Sequence, residues 1–286
     1  MTDLAARSDP GLVRDRNEDR WLTRDYAGVT LLAVADGVGG EAGGDVASTA
    51  AIETLQRSFR PPSFGETARG ALAEAVQQAN LAVLDAASHE HFSHAATTLV
   101  AAAVRGREAA VANLGDSRAY LVRAGQIRQL TTDHSGDRES SITRFLGDPR
   151  GVQPDIFVET LQPADRLILC SDGLTRHVQD AEIAAAMRDD PARAADALVA
   201  LARSRGGEDN VTVIVYAARR PAISRAVAGT LILALLILVA VAGAMGALLA
   251  TPVPAPAASA SPPASAGPSP SEPASPSVAP SPSAAP

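Results

Sequence analysis

The sequence predicts a layered α+β domain followed by an apolar segment and a proline-rich tail. Three observations carry this prediction. Six short, β-branched apolar runs read as buried strands. Four longer stretches with apolar residues at helical spacing come in blocks rather than alternating with the strands, which favours α+β over a doubly wound sheet. The composition then changes abruptly after about residue 218.

In chain order, the first strand is expected over Thr30–Ala35 (TLLAVA), bounded by Asp36 and Gly37. Val46–Phe59 and Thr67–Ala87 follow as helices, the second Ala-rich with Leu72, Val76, Ala79 and Val83 on one face. Thr98–Val104, Ala109–Ala112, Ala119–Arg123 and Arg166–Cys170 read as further strands. A second helix block covers Ala181–Arg188 and Ala192–Arg203, with Pro191 placed where a helix start accepts proline. Val211–Ala217 (VTVIVYA) closes the domain as a strand, and the domain shows no internal repeat.

Ala226–Ala250 holds 25 residues without a charge and is apolar on every face, the length and composition of one membrane-spanning helix. Arg219, Arg220 and Arg225 precede it and no basic residue follows, so the positive-inside rule places the N-terminal side in the cytoplasm. Twelve of the 20 prolines fall in the last 35 residues, where Glu272 is the single charge, so this stretch is expected to be disordered and extended. The expected organisation is a cytosolic domain over 1–218, a basic juxtamembrane linker over 219–225, a transmembrane helix over 226–250 and an extracytoplasmic tail over 251–286. That makes a single-pass cell-membrane protein, with Arg219, Arg220 and Arg225 read first as a topology signal and membrane lipid, anionic lipid at the linker included, expected as a partner.

The chain has 286 residues and a net charge of −7, and all 25 basic residues are arginine. An acidic balance argues against nucleic acid as a partner, which needs a basic face. One cysteine excludes an intrachain disulfide framework and multi-cysteine zinc sites, and it fits a reducing compartment.

The polar residues gather at strand ends. Asp36-Gly37-Val38-Gly39-Gly40 follows the first strand, Asp116-Ser117-Arg118 follows VANLG, Ser171-Asp172-Gly173 follows LILC, and Glu208-Asp209-Asn210 precedes VTVIVY. A fifth cluster, Asn17-Glu18-Asp19, lies near the N-terminus. Any one of these alone reads as an ordinary turn. Together they can bring carboxylates to one point, where they would repel one another and resist desolvation. Hard divalent cations such as Mg²⁺ and Mn²⁺, which prefer carboxylate oxygen, resolve that conflict. Two such cations sharing a carboxylate lower the pKa of a bridging water, and Arg14 offers a planar fork suited to phosphate. The residues thus read as a metal-dependent phosphoryl hydrolase.

The run Gly11-Leu12-Val13-Arg14-Asp15-Arg16-Asn17-Glu18-Asp19 resembles the first motif of the metal-dependent Ser/Thr protein phosphatases of the PPM (PP2C) family, and Asp36–Gly40 resembles the second. Ala96-Thr97-Thr98-Leu99, Gly115–Arg118, Leu130–Ser135, Ile142–Gly147, Ser171–Leu174 and Asp209–Thr212 follow in the family's order, so the likeness covers about residues 5–217. It implies an α-β-β-α sandwich, two antiparallel sheets flanked by helices. Asp36 is implied to bridge two metals, Mn²⁺ or Mg²⁺, with the Gly37 carbonyl on one and Asp172 and Asp209 on the other. Glu18 and Asp19 are implied to hold metal-bound waters, Asp116 to join Asp172 in a third metal site, and Arg14 to bind the substrate phosphate. The layout is similar to bacterial membrane-anchored phosphatases that oppose eukaryotic-type Ser/Thr kinases, which makes phosphoproteins, such kinases among them, the implied substrates.

Two features depart from the family pattern. Only Gly136–Ser141 stands where a flap of some thirty residues is usual, and Val38 and Glu41 stand where members carry a His. Two other readings compete, a pseudophosphatase that binds phosphoproteins and relays a signal, and a phosphatase of small phosphoesters.

Other conspicuous residues take plainer readings. His89, His91 and His94 are not on one helix face and read as a solvated loop. His134 reads as a loop anchor, His177 as surface, Cys170 as packing at a strand end, and the single tryptophan, Trp21, as part of the core.

Overall fold

The computed structural model of the chain describes residues 3–39, 43–62, 67–89, 95–136, 141–218, 237–242 and 245–246. The chain divides into two units, Met1–Ala222 and Ile223–Pro286. In the second unit the described stretches 237–242 and 245–246 are helical and exposed. No helix among the described residues is long and apolar enough to cross a membrane. The rest of the span expected over 226–250, the linker over 219–225 and the tail over 251–286 lie outside the described residues.

The first unit is built from β1 (Leu4–Asp9), β2 (Arg20–Tyr26), β3 (Val29–Ala35), β4 (Gly37–Val38), α1 (Gly43–Ser58), α2 (Ala68–His89), β5 (Ala96–Thr97), β6 (Leu99–Arg105), β7 (Glu108–Leu114), β8 (Arg118–Arg123), β9 (Gln126–Gln129), β10 (Asp155–Thr160), β11 (Arg166–Cys170), α3 (Asp172–Thr175), α4 (Asp180–Ala186), α5 (Pro191–Ser204) and β12 (Val211–Ala217). Two five-stranded sheets form, ordered β1-β12-β11-β8-β9 and β10-β7-β6-β3-β2, and every pairing is antiparallel. The short β4 and β5 pair separately.

Strand alternation sorts the core into three layers. Leu31, Ala33 and Ala35 of β3, with Leu99, Ala101 and Ala103 of β6, face the layer formed with α1 and α2. Their neighbours Leu32, Val34, Val100, Ala102 and Val104 face the other way and meet Leu121, Leu167, Leu169 and Ile214 between the sheets. On the far side, Ile168, Cys170, Val213 and Val215 pack with Ile183, Ala195 and Leu198 of α4 and α5. This is the expected pair of antiparallel sheets with helices on both outer faces. Pro191 opens α5, and the Asp190 carboxylate caps it by accepting from the backbone of Ala192 and Arg193.

One core assignment is corrected. Trp21 lies on β2, the edge of its sheet, and is 43% exposed rather than enclosed, because no further strand covers it. Cys170 is fully buried, as its position at the end of a central strand requires.

Candidate metal centre

The strand order carries the acidic signatures to one end of the sandwich. Asp36 follows β3, Asp116 lies between β7 and β8, Asp172 follows β11, and Asp209 precedes β12. Asp19 immediately precedes β2. Because β12 runs antiparallel to β1 and β11, the start of β12 lies beside the ends of both. Arg14, Glu18, Asp36, Gly37, Val38, Asp116, Ile142, Asp172, Arg176 and Asp209 line a common cleft of about 340 Å³. Asp19 sits behind that wall, 2% exposed.

Asp36 is fixed through its backbone. The Asp36 N–H donates to Thr98 Oγ1 (3.1 Å), and its carbonyl accepts from Thr97 Oγ1 (2.8 Å) and the Thr98 N–H (2.8 Å). Thr98 Oγ1 in turn bonds Ser117 Oγ at 2.8 Å, tying the Asp36 turn to the Asp116 turn. At Gly37 a side chain is impossible, since a Cβ would lie 2.4 Å from the Gly44 carbonyl oxygen where α1 begins. Gly173 is equally constrained, its Cβ position falling 2.0 Å from the Asn210 carbonyl oxygen, so α3 sits tightly on the turn before β12.

Asn210 braces the N-terminal segment. Its Oδ1 accepts from the Glu18 N–H (2.8 Å), and its Nδ2 donates to the carbonyls of Pro10 and Arg16 (2.9 Å each). Ser171 Oγ donates to Asp19 Oδ2 (2.8 Å) and accepts from the Thr212 N–H (2.9 Å). Asn17, through Ser8 Oγ, joins the same network at Thr212 Oγ1. Asn210, Ser171, Thr97 and Thr98 therefore position the acids. Their positioning role has no local signal in the sequence, because hydrogen bonds such as those to Asp36, Asp19 and Pro10 join residues from 61 to 200 positions apart.

The cluster resists its own charge. Burial is the main force raising the Asp36 carboxyl well above its ordinary range, reinforced by Asp19, Asp172, Asp209 and Asp116. Burial likewise pushes Asp19 up to about 7 and Asp116 up to about 6. Glu18 is raised by burial, with the nearby Arg14 opposing. Asp19 Oδ1 and Asp116 Oδ1 are enclosed without a hydrogen-bond partner.

Two guanidinium groups offset part of this charge. Arg14 Nη2 lies 2.9 Å from Asp209 Oδ2. Arg176 Nε donates to Asp172 Oδ2 at 2.8 Å, and its Nη1 is 4.0 Å from Asp209 Oδ2. Arg176 is a site residue absent from the sequence reading. Its signal is its spacing, four residues after Asp172 and hence on the same side of one helical turn. With Asp172 and Asp209 turned to these arginines, no three carboxylate, His or Cys groups among the described residues stand in ligand geometry around one point. The donors themselves fit a hard divalent cation: all are oxygens, two are orphaned, and their repulsion is what positive charge relieves.

The remaining polar residues fall outside the cluster. His134 is buried; its Nδ1 accepts the Gly115 N–H (3.1 Å) and its Nε2 lies 3.0 Å from Asp155 Oδ2, so it anchors the turn that carries Asp116. His177 is half-buried with Nε2 enclosed, against the surface position expected of it, because Gly206 lies close to its ring. His89 ends α2, exposed and 3.5 Å from Asp85, while His91 and His94 lie outside the described residues. On either side of the shortened flap, Ser135 is bridged to Ile142 and the Gly136 N–H donates to the Ser141 carbonyl (2.7 Å). Residues 137–140 and Glu41 lie outside the described residues. Val38 lines the cleft.

Comparison with known proteins shows the family. The family model described as protein phosphatase 2C matches residues 13–205, more than half of the chain. The chain is 36% identical over 236 residues to the serine/threonine phosphatase Stp of Listeria innocua, covering 73% of this chain and 93% of that protein. It is 36% identical over 252 residues to the serine/threonine protein phosphatase PstP of Mycobacterium tuberculosis, covering 79% of this chain and 48% of that one. A crystal structure of the PstP catalytic domain in complex with two manganese ions superposes with a TM-score of 0.66 at 37% identity, over 74% of this chain and 96% of that one.

Proposed function

The chain belongs to the protein phosphatase 2C family of protein-serine/threonine phosphatases, and on that premise we propose that it hydrolyses phosphoserine and phosphothreonine in cytosolic proteins, opposing eukaryotic-type Ser/Thr kinases in bacterial signalling. The observation that carries this reading is the convergence of Asp36, Asp116 and Asp172 with Asp209 on one cleft, backed by the buried Asp19, with Arg14 on the same cleft.

Asp36, the Gly37 carbonyl, Asp172 and Asp209 would hold two Mn²⁺ or Mg²⁺ ions, Asp116 with Asp172 a third, and Glu18 and Asp19 would accept hydrogen bonds from the waters around them. When bound, such cations supply Lewis-acid stabilisation of the phosphoryl oxygens and lower the pKa of a coordinated water. Arg14 binds and orients the substrate phosphate through its planar fork. The Asn210 brace holds Glu18 and the segment carrying Arg14 at fixed distance from Asp209. The Thr97–Thr98 bonds keep the Asp36 carboxylate aimed into the cleft, so little reorganisation is needed as charge develops.

We place the phosphatase domain at the cytoplasmic face of the cell membrane, anchored by 226–250, with 251–286 outside. The support is the uncharged run of 25 residues and the arginines on its N-terminal side. Membrane fractionation with protease protection of the N-terminal domain tests this. Phosphate release from a phosphothreonine protein or peptide, with manganese and then with a chelator, tests the activity. Phosphoprotein binding without turnover at saturating manganese would favour a pseudophosphatase, and turnover of small phosphoesters alone would favour the third reading.

A further inference from the structure

The proposed chemistry leaves Arg176 without a task, yet its guanidinium holds one of the carboxylates assigned to metal and reaches a second. Its Nε donates to Asp172 Oδ2 at 2.8 Å, its Nη2 contacts the same oxygen, and its Nη1 lies 4.0 Å from Asp209 Oδ2. The Asp172 and Asp209 side chains are only 13% and 20% exposed, so water is a poor substitute partner for them. The backbone under this contact is fixed. The Arg176 N–H donates to the Asp172 carbonyl at 2.9 Å, and Gly173 is pressed against the Asn210 carbonyl. Asp172 and Arg176 thus stay on one turn, and the part that can move away is the arginine side chain. Room for it exists, since Arg176 also lines a second cleft of about 560 Å³ with Asp133 and the exposed Glu208. That cleft adjoins the first at Asp116 and Asp172.

We propose that Arg176 is a tethered counter-ion of Asp172 and Asp209 that a divalent cation must displace, so that this arginine sets the metal concentration at which the centre fills. The inference rests on the metal-centre reading above and adds a competitor to it. A guanidinium relieves the same repulsion among enclosed carboxylates that a divalent cation relieves. The two cannot share Asp172 Oδ2, which already takes two contacts from Arg176. A cation that took the other Asp172 oxygen would sit beside the guanidinium and be repelled by it. An interaction made only before the cation binds stabilises the unloaded chain and weakens metal binding by the same factor. Arg14 makes a similar contact with Asp209 but is assigned to the substrate phosphate, a role Arg176 does not share.

The test follows Mn²⁺ binding to the purified full chain, through loss of the free-ion EPR signal, for wild type, Arg176→Gln and Arg176→Lys. Thermal unfolding of each chain is measured in chelator and in saturating manganese. Displacement predicts about tenfold tighter Mn²⁺ binding by Arg176→Gln, the weight of a charge-assisted bond to an enclosed carboxylate. Arg176→Lys keeps the charge and loses the planar fork, so its gain should be smaller. The Tm of Arg176→Gln should fall below that of wild type in chelator and match it in saturating manganese. Equal or weaker Mn²⁺ binding by both variants overturns the counter-ion role and leaves the metal centre standing. A Tm loss of the same size with and without manganese does the same, since a merely structural arginine would produce it. No Mn²⁺ binding by the folded wild type overturns the metal-centre reading itself. If Arg176→Gln fails to fold, Arg176→Lys alone decides.

Discussion

Replacing Asp19 by Asn isolates the strain in the acidic cluster. Asp19 is 2% exposed, and burial beside Asp172 and Asp209 raises its carboxyl from an ordinary 3.8 to about 7. A carboxyl raised on folding stabilises the fold only while protonated. Its contribution is intact below pH 4 and is lost as pH rises from about 4 to about 7. From these two values the ionised group costs the fold on the order of 2 kcal/mol at pH 5 and on the order of 4 kcal/mol at pH 7.5. Asn removes that charge, its carbonyl oxygen can keep the bond from Ser171 Oγ, and its amide sits where Asp19 Oδ1 has no partner. The unpaired amide costs about 1–3 kcal/mol at every pH. The stability gained by the Asp19→Asn variant should therefore grow by about 2–3 kcal/mol between pH 5 and pH 7.5. In a domain of this size that is about 5–10 °C in the difference between the two Tm values. Thermal unfolding of the full chain in chelator, wild type against variant, measures it. A Tm difference that does not change with pH would refute the reasoning.

Three further outcomes follow from the fold. Ala27 and Ala124 occupy positive-φ positions (43° and 50°) before Gly28 and Gly125 in two-residue hairpin loops, so Ala27→Asn and Ala124→Asn should each stabilise by about 0.5–1 kcal/mol, additively, in urea titrations. Asn210→Ala removes one accepted and two donated hydrogen bonds that hold residues 10–18, and should lower stability by about 2–4 kcal/mol with an unchanged m-value. Cys170 is fully buried with its thiol pushed up to about 12, so iodoacetamide should label it, by mass spectrometry, only as the domain unfolds.

The strands legible in the sequence are those buried on both faces. β3, β6, β7, β8, β11 and β12 lie inside a sheet that is covered by helices on one side and by the other sheet on the other, so they read as apolar runs. In the two five-stranded sheets the strands not legible, β1, β2, β9 and β10, are the four edges, where sequences such as RWLTRDY and QIRQ are largely polar because one side meets water. Trp21 was misplaced for the same reason. The acids at the strand ends were legible because each sits beside a turn residue and a buried strand. Arg176 was not, since an arginine on a short helix reads as solvated until the fold turns it toward Asp172 and Asp209.

The central claim is that these carboxylates make a metal-dependent protein phosphatase, and Asp36 is its most direct test. Phosphate release from a phosphothreonine peptide should be measured for the wild-type chain and for Asp36→Asn, across manganese concentrations, with circular dichroism showing both folded. The account predicts manganese-dependent turnover by the wild type, abolished by chelator, and a loss of at least about a thousandfold in the variant at any manganese concentration. Turnover by the variant at the wild-type rate, or none by the folded wild type at saturating manganese, would contradict it.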